Sequence, residues 1–248
     1  MLVKVIKTVY AKSKWQLKPF ITITYAESME KYGCDRPDLR FGLPMKTITD
    51  VVKNTSFQVF RNPIEAGGIV KSIKVSKAEM GGTRLSKGAI EKLTSLAQSH
   101  GLGGLAYIIV NENDLQSPII KFLGEDIGAA IIKEMEAEVG DIVFFSAADL
   151  GTANKALDAV RQELGNMLNL IPANVLQPAW VIDFPQFEKK EDGGWTFSHN
   201  PFSMPKAEYI NQHMEGNDPG KIIAQQYDII LNGYEIGGGS VRAHRGDI

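Results

Sequence analysis

The sequence predicts an α+β fold, and three observations carry that expectation. In the middle of the chain, apolar runs of strand length such as 105–110 (LAYIIV) and 141–147 (DIVFFSA) alternate with stretches of helical period. After Pro172 and Pro178 the texture changes to strand-like runs joined by turn residues. Within that last part, Asn232-Gly233 sits between two apolar runs, the strongest short-range signal for a two-residue hairpin.

Taken in order, residues 4–12 read as the end of a helix, with Val5 and Thr8 or Tyr10 on its apolar side. Residues 21–26 alternate as a strand does and run into a short helix over 27–32. A polar connector follows, Gly33-Cys34-Asp35-Arg36-Pro37-Asp38-Leu39-Arg40, whose proline disfavours helix at Arg36. Residues 56–60 and 68–75 read as strands. Ser86 is placed to cap a helix over 87–99, with Ile90, Leu93 and Leu96 on one side, and Gly101-Leu102-Gly103-Gly104 ends it. The strand at 105–110 precedes a helical stripe in 124–137 (Ile127, Ala130, Ile131, Met135) and the buried strand at 141–147. A helix over 152–167 turns Ala156, Val160, Leu164 and Met167 inward, and the whole block suffices for a domain of its own. Beyond it, 179–184 (AWVIDF) reads as a strand, the polar turn 189–194 leads to a second strand at 195–198, and 217–220 is a loop. Strand 227–231 turns at Asn232-Gly233 into 234–236, then Gly237-Gly238-Gly239-Ser240 and Val241-Arg242-Ala243-His244.

Composition narrows the class. With 248 residues, 44% apolar and 23% charged, the chain is neither collagen-like nor disordered. The single cysteine, Cys34, excludes an internal disulfide and suits a reducing compartment, so a cytoplasmic location is expected. No run reaches the roughly 18–20 apolar residues of a membrane span, and the lysine-broken start lacks the apolar region of a secretory signal. The net charge of -2 excludes a strong field for nonspecific binding to nucleic acid or membrane. Charge is nonetheless uneven: residues 1–40 carry eight basic and four acidic groups, and 179–248 carry six and ten. That acidic end is either a solvated face or a source of metal-binding carboxylates.

The hairpin permits a geometric argument. A two-residue turn pairs Leu231 with Tyr234, Ile230 with Glu235 and Asp228 with Gly237. Asp228 and Glu235 then share a face as diagonal neighbours, about 6–8 Å apart. Such carboxylates repel unless a proton or cation intervenes, and Mg²⁺ uses one or two carboxylates together with substrate phosphates. The same spacing also suits two solvated acids. Strict alternation puts Arg242 on the opposite face from Glu235; a one-residue bulge within the glycines would bring them together and offer a planar fork to a carboxylate. His199 follows a strand and is either a ligand-facing donor or a structural histidine; His100, His213 and His244 show no metal-ligand spacing with it. Cys34 has no base partner in sequence, no serine elbow is present, and basic residues with interleaved aromatics are absent.

Four stretches, 32–40 (YGCDRPDLR), 179–188 (AWVIDFPQFE), 199–202 (HNPF) and 227–244 (YDIILNGYEIGGGSVRAH), together resemble the bacterial-type aspartyl-tRNA synthetases. These are class II enzymes of the subclass that includes the asparaginyl and lysyl enzymes. The intervening block resembles the GAD domain, an insertion shared with a subunit of the tRNA-dependent amidotransferase. The resemblance implies a division into 1–40 (catalytic-domain segment), 41–178 (GAD-type α/β insertion) and 179–248 (catalytic-domain antiparallel strands before motif 3). It implies that His199 and Arg242 hold the aspartate substrate, Arg242 by its side-chain carboxylate, that Glu235 binds ATP, and that Asp228 and Glu235 hold Mg²⁺ on the phosphates. No side-chain nucleophile is required, since catalysis is positioning and charge neutralisation. Cys34 stands where the family has serine, Arg36 where it has lysine, and Asn200 replaces the second histidine of a pair.

The resemblance also implies a parent that binds aspartate, ATP and tRNA, forms a homodimer and has no membrane association. Motifs 1 and 2, the anticodon-binding barrel and motif 3 are not recognised in these residues, so the chain is expected to be a fragment inactive in adenylate formation. The alternative function is a module presenting the GAD domain for tRNA or inter-domain contact without chemistry.

Overall fold

The structure, a computed structural model, describes residues 2–11, 14–190 and 192–246. The chain divides into two compact units, one of Met1–Ser28, Asp35–Arg40 and Ala173–Ile248, the other of Met29–Cys34 and Phe41–Pro172.

In the second unit, alternation along one strand sorts side chains into two cores. Ile142 and Phe144 of Ile142–Ala148 pack with Ile73, Leu93, Leu157, Val160 and Leu164. Val143 and Phe145 point the other way, towards Phe60, Val70, Ile108 and Ile131. A strand buried on both faces has no reason to alternate in polarity, so IVFF is a continuous apolar run. The sheet has five strands in the order Met45–Thr47, Ile69–Val75, Ile142–Ala148, Ala106–Val110, Leu115–Gln116, with every neighbour antiparallel. The helices Lys87–Ser99 and Leu150–Met167 are capped as their sequences direct. Ser86 Oγ accepts from Ala89 N at 3.2 Å, and the Asp149 carboxylate accepts from Thr152 N at 3.0 Å.

One expected strand is a helix. Residues 56–60 lead into the helix Gln58–Glu65, in which Phe60 is buried against Phe145 at 5.8 Å between ring centroids. Phe57, Phe60 and Ile64 recur at helical spacing and pack on one core, and an apolar run this short does not separate helix from strand by period.

The first unit holds a four-stranded sheet in the order Tyr234–Ser240, Gln226–Leu231, Pro178–Ile182, Ile21–Thr24. The first three are antiparallel neighbours and the last pair is parallel. A separate hairpin pairs Phe187–Lys189 with Trp195–Phe197. The second unit ends at Pro172. Val175–Leu176 pairs with Gln16–Leu17, and Pro178 begins a strand of the four-stranded sheet. Residues 29–34 likewise fall in the second unit. The first helix is Leu2–Val9; Lys12, at the end of the expected 4–12 segment, and Glu191, inside the expected 189–194 turn, lie outside the described residues. No helix of the described residues is long and apolar enough to cross a membrane.

Candidate functional site

Asn232-Gly233 forms the expected turn, with φ of 53° and 85° at its two residues. Asn232 also ties the turn to residues 175–177, accepting from Gln177 N at 2.9 Å and donating to Val175 O at 2.8 Å. The first two expected cross-strand pairs form, Leu231 with Tyr234 and Ile230 with Glu235. The third does not: Asp228 pairs with Gly238 rather than Gly237, because the register shifts between Ile229 and Ile230. Ile236 is the extra residue, so the bulge sits just before the glycine run rather than within it.

This bulge decides which side chains share a face. Glu235, Gly238 and Ser240 lie opposite Ile230, Asp228 and Gln226, and beyond the strand Arg242 bridges to Ser203. A Cβ added at Gly238 would run into Asp228 Oδ1 and come within 3.3 Å of Glu235 Oε1. The two carboxylates therefore converge over a backbone position that only glycine leaves open. Asp228 is buried at 7% exposure, and burial, followed by the Glu235 charge, pushes its carboxyl up to about 6.

His199 follows Trp195–Phe197, on a segment with several anchors. Ser198 N donates to Gln186 O at 3.0 Å, and the Ser198 hydroxyl lies 2.9 Å from His199 Nδ1. The imidazole meets Phe184 edge-on at 4.7 Å between centroids, and its Nε2 faces Asp35 Oδ2 at 3.7 Å, an ion-pair separation. The Asp35 carboxylate raises the His199 pKa above its ordinary value, with further help from Asp228 and Glu188 and against the opposing effect of burial. His199 in turn lowers the Asp35 pKa. Asn200 donates to Gln226 Oε1 at 3.3 Å and accepts from Ser203 Oγ at 2.6 Å, which ties the histidine segment to the strand carrying Asp228.

Asp228, Glu235 and His199 are thus near enough to act on one another. Arg242 stands apart: among the described residues it forms no ion pair, and its guanidinium lies on the Phe202 ring at 4.3 Å. That position leaves the exposed fork available to a ligand. Asp35, Glu188 and Tyr25 were not singled out from sequence. Their closeness to His199 is a tertiary fact that no local spacing encodes.

Among the described residues no cluster of three or more histidine, cysteine or acidic side chains is placed to hold a metal by itself. Asp228 and Glu235 supply two oxygen-donor groups at one point, which suits a Mg²⁺ ion completed by phosphate oxygens and water. In the second unit, a 610 Å³ concavity lined by Lys77, Arg84, Asn111 and Asp114 offers mixed charge, and Arg84 is already bonded to Asn111 at 2.5 Å.

A family model described as tRNA synthetases class II (D, K and N) matches residues 1–248. An aspartate–tRNA ligase of Leuconostoc mesenteroides is 41% identical over 229 residues, covering 92% of this chain and 38% of the relative. An aspartate–tRNA(Asp/Asn) ligase of a Hydrogenobaculum species is 42% identical over 241 residues, covering 93% of this chain and 40% of the relative. An aspartate–tRNA ligase of Listeria monocytogenes is 40% identical over 249 residues, covering all of this chain and 41% of the relative. The chain thus spans about two fifths of the length of these relatives.

Proposed function

Because the chain belongs to the class II tRNA synthetases of the D, K and N group, we propose that it supplies part of the aspartate and ATP–Mg²⁺ site of an aspartate–tRNA ligase acting in the cytoplasm. The observation that carries this reading is the convergence of Asp228 and Glu235 over Gly238. In this reading Arg242 pairs its fork with the side-chain carboxylate of aspartate, and His199 contacts the same substrate. Glu235 binds ATP, and Asp228 and Glu235 hold the Mg²⁺ that neutralises charge on the phosphates. The whole protein joins aspartate to ATP as aspartyl-adenylate, transfers it to tRNA and works as a homodimer. The second unit, Met29–Cys34 and Phe41–Pro172, is the GAD domain of this proposal.

Titration of L-aspartate into the chain tests the reading. Arg242→Ala is expected to weaken aspartate about 100-fold, since a hydrogen-bonded charge pair is lost, while Mg–ATP affinity changes less than about twofold. A folded wild-type chain that gives a blank aspartate titration would overturn the reading and favour a binding module without chemistry. The 248 residues are expected to form no aspartyl-adenylate unaided, because the described site sets four carboxylates (Asp35, Glu188, Asp228, Glu235) against few cations able to neutralise an α-phosphate. ATP–pyrophosphate exchange above background in the purified chain would refute that.

A further inference from the structure

We propose that Asp35 is a positioning residue for substrate binding, its carboxylate aiming the His199 imidazole and serving as its counter-charge beside an anionic substrate carboxylate. This rests on the reading above that His199 contacts aspartate.

Three observations support it. First, both ring nitrogens of His199 have a partner: Nδ1 lies 2.9 Å from Ser198 Oγ, and Nε2 lies 3.7 Å from Asp35 Oδ2. Second, the ring has little freedom to turn. Phe184, fully buried, meets it at 4.7 Å between centroids and Tyr25 at 6.4 Å, both near perpendicular. Asp35 itself is set by the connector, where Pro37 and Asp38 are buried and Asp38 grips Arg40 through two bonds of 3.0 and 2.6 Å.

Third, the charges around His199 make its own charge matter. Asp35 faces it from the connector, Glu188 from Phe187–Lys189 and Asp228 from Gln226–Leu231; the Tyr25 phenol adds a neutral contact, and Arg36 acts on Asp35. A neutral imidazole would leave a dicarboxylic substrate facing these acids with Arg242 as its main attraction. A protonated one offsets them at the point of contact. Asp35 is the largest contributor to the raised His199 pKa, ahead of Asp228 and Glu188. The three carboxylates are therefore not equivalent, and Asp35 is the one that a substitution should expose.

The experiment measures L-aspartate affinity and the His199 imidazole titration by NMR in the wild-type chain, Asp35→Asn and Asp35→Glu. Asp35→Asn is expected to lower the His199 titration midpoint. It should weaken aspartate about tenfold at pH 8 but less than about threefold at pH 6, where acid protonates the ring with less help from Asp35. Asp35→Glu is expected to restore most of the loss at pH 8. Equal weakening at both pH values, or an unmoved His199 midpoint, overturns the proposal while wild-type aspartate binding stands. Should Asp35→Asn fail to fold, a glutamate variant with wild-type affinity at pH 8 and a lowered His199 midpoint would overturn it as well. A wild-type chain that binds no aspartate at either pH overturns the underlying reading, and the proposal with it.

Discussion

Asp228→Asn is expected to stabilise the protein by about 2 kcal/mol above pH 7 and to abolish Mg–ATP binding. The carboxyl titrates near 6 in the folded chain against an ordinary value of 3.8, because it is buried and faces Glu235. As pH rises through about 4 the unfolded chain releases this proton first, so stability falls between about pH 4 and 6 and then levels off. A displacement of about two units corresponds to roughly 3 kcal/mol, of which an asparagine, unable to ionise, would recover the larger part. The difference between the proteins should therefore vanish below pH 4 and be full above pH 7, appearing as a rise of about 5 °C in Tm. Millimolar Mg²⁺ with ATP should stabilise the wild type and leave the variant unchanged. Gly238→Ala separates geometry from charge: it keeps both carboxylates but pushes Asp228 Oδ1 aside, and Gly238 is not among the glycines of positive φ. A loss of about tenfold in Mg–ATP affinity is expected from the displaced ligand, equivalent to about 1.4 kcal/mol. If Asp228→Asn leaves the pH–stability profile of the wild type intact, the carboxylates do not strain one another and the metal-site reading loses its support.

Much of this arrangement is legible in the sequence wherever one local rule decides. Ser86 before a helical stripe places the helix Lys87–Ser99, and Asn232-Gly233 sets the first two cross-strand pairs. What escapes is anything that needs the third dimension. The bulge at Ile236 shifts Asp228 by one partner, and alternation alone cannot say which residue is extruded. The 56–60 run becomes a helix because Phe57, Phe60 and Ile64 find one core, a matter of tertiary packing rather than propensity. Asp35 lies in a segment that the sequence marks out, yet its partner is 164 positions away and no spacing rule joins them. The closeness of Asp228 and Glu235 is legible because one hairpin holds both; the counter-charge of His199 is not, because it comes from another part of the chain.

Arg161→Ala is expected to cost about 4 kcal/mol of stability. Arg161 is fully buried in the middle of Leu150–Met167. Its Nη2 donates to Phe41 O at 3.0 Å and Gly42 O at 2.9 Å, and its Nε lies 3.2 Å from both Gly42 O and Leu43 O. The guanidinium also sits between aromatic faces, 4.1 Å from the Phe41 centroid and 4.7 Å from that of Tyr32. One side chain thus satisfies three consecutive carbonyls in a segment where Leu43 has a φ of 60° and is itself buried. Such a conformation costs about 1–2 kcal/mol and persists only when its surroundings hold it. Alanine would leave the carbonyls without their donors at about 1–3 kcal/mol for each left unpaired, partly relieved by water entering the gap. The Phe41 ring would lose its cation, although Gly165 still lets it lie close to the helix, with ring carbons 2.8 and 2.9 Å from where a Cβ would stand. An apolar isostere supplies no donor to the carbonyls of Phe41, Gly42 and Leu43, so Arg161→Met should lose nearly as much as alanine. Arg161→Lys keeps a charge but not the fork, and should recover no more than about half of the loss. Urea unfolding of the three variants is the measurement. Methionine at wild-type stability, or lysine indistinguishable from arginine, would show that the carbonyl cluster is not what Arg161 is there to hold.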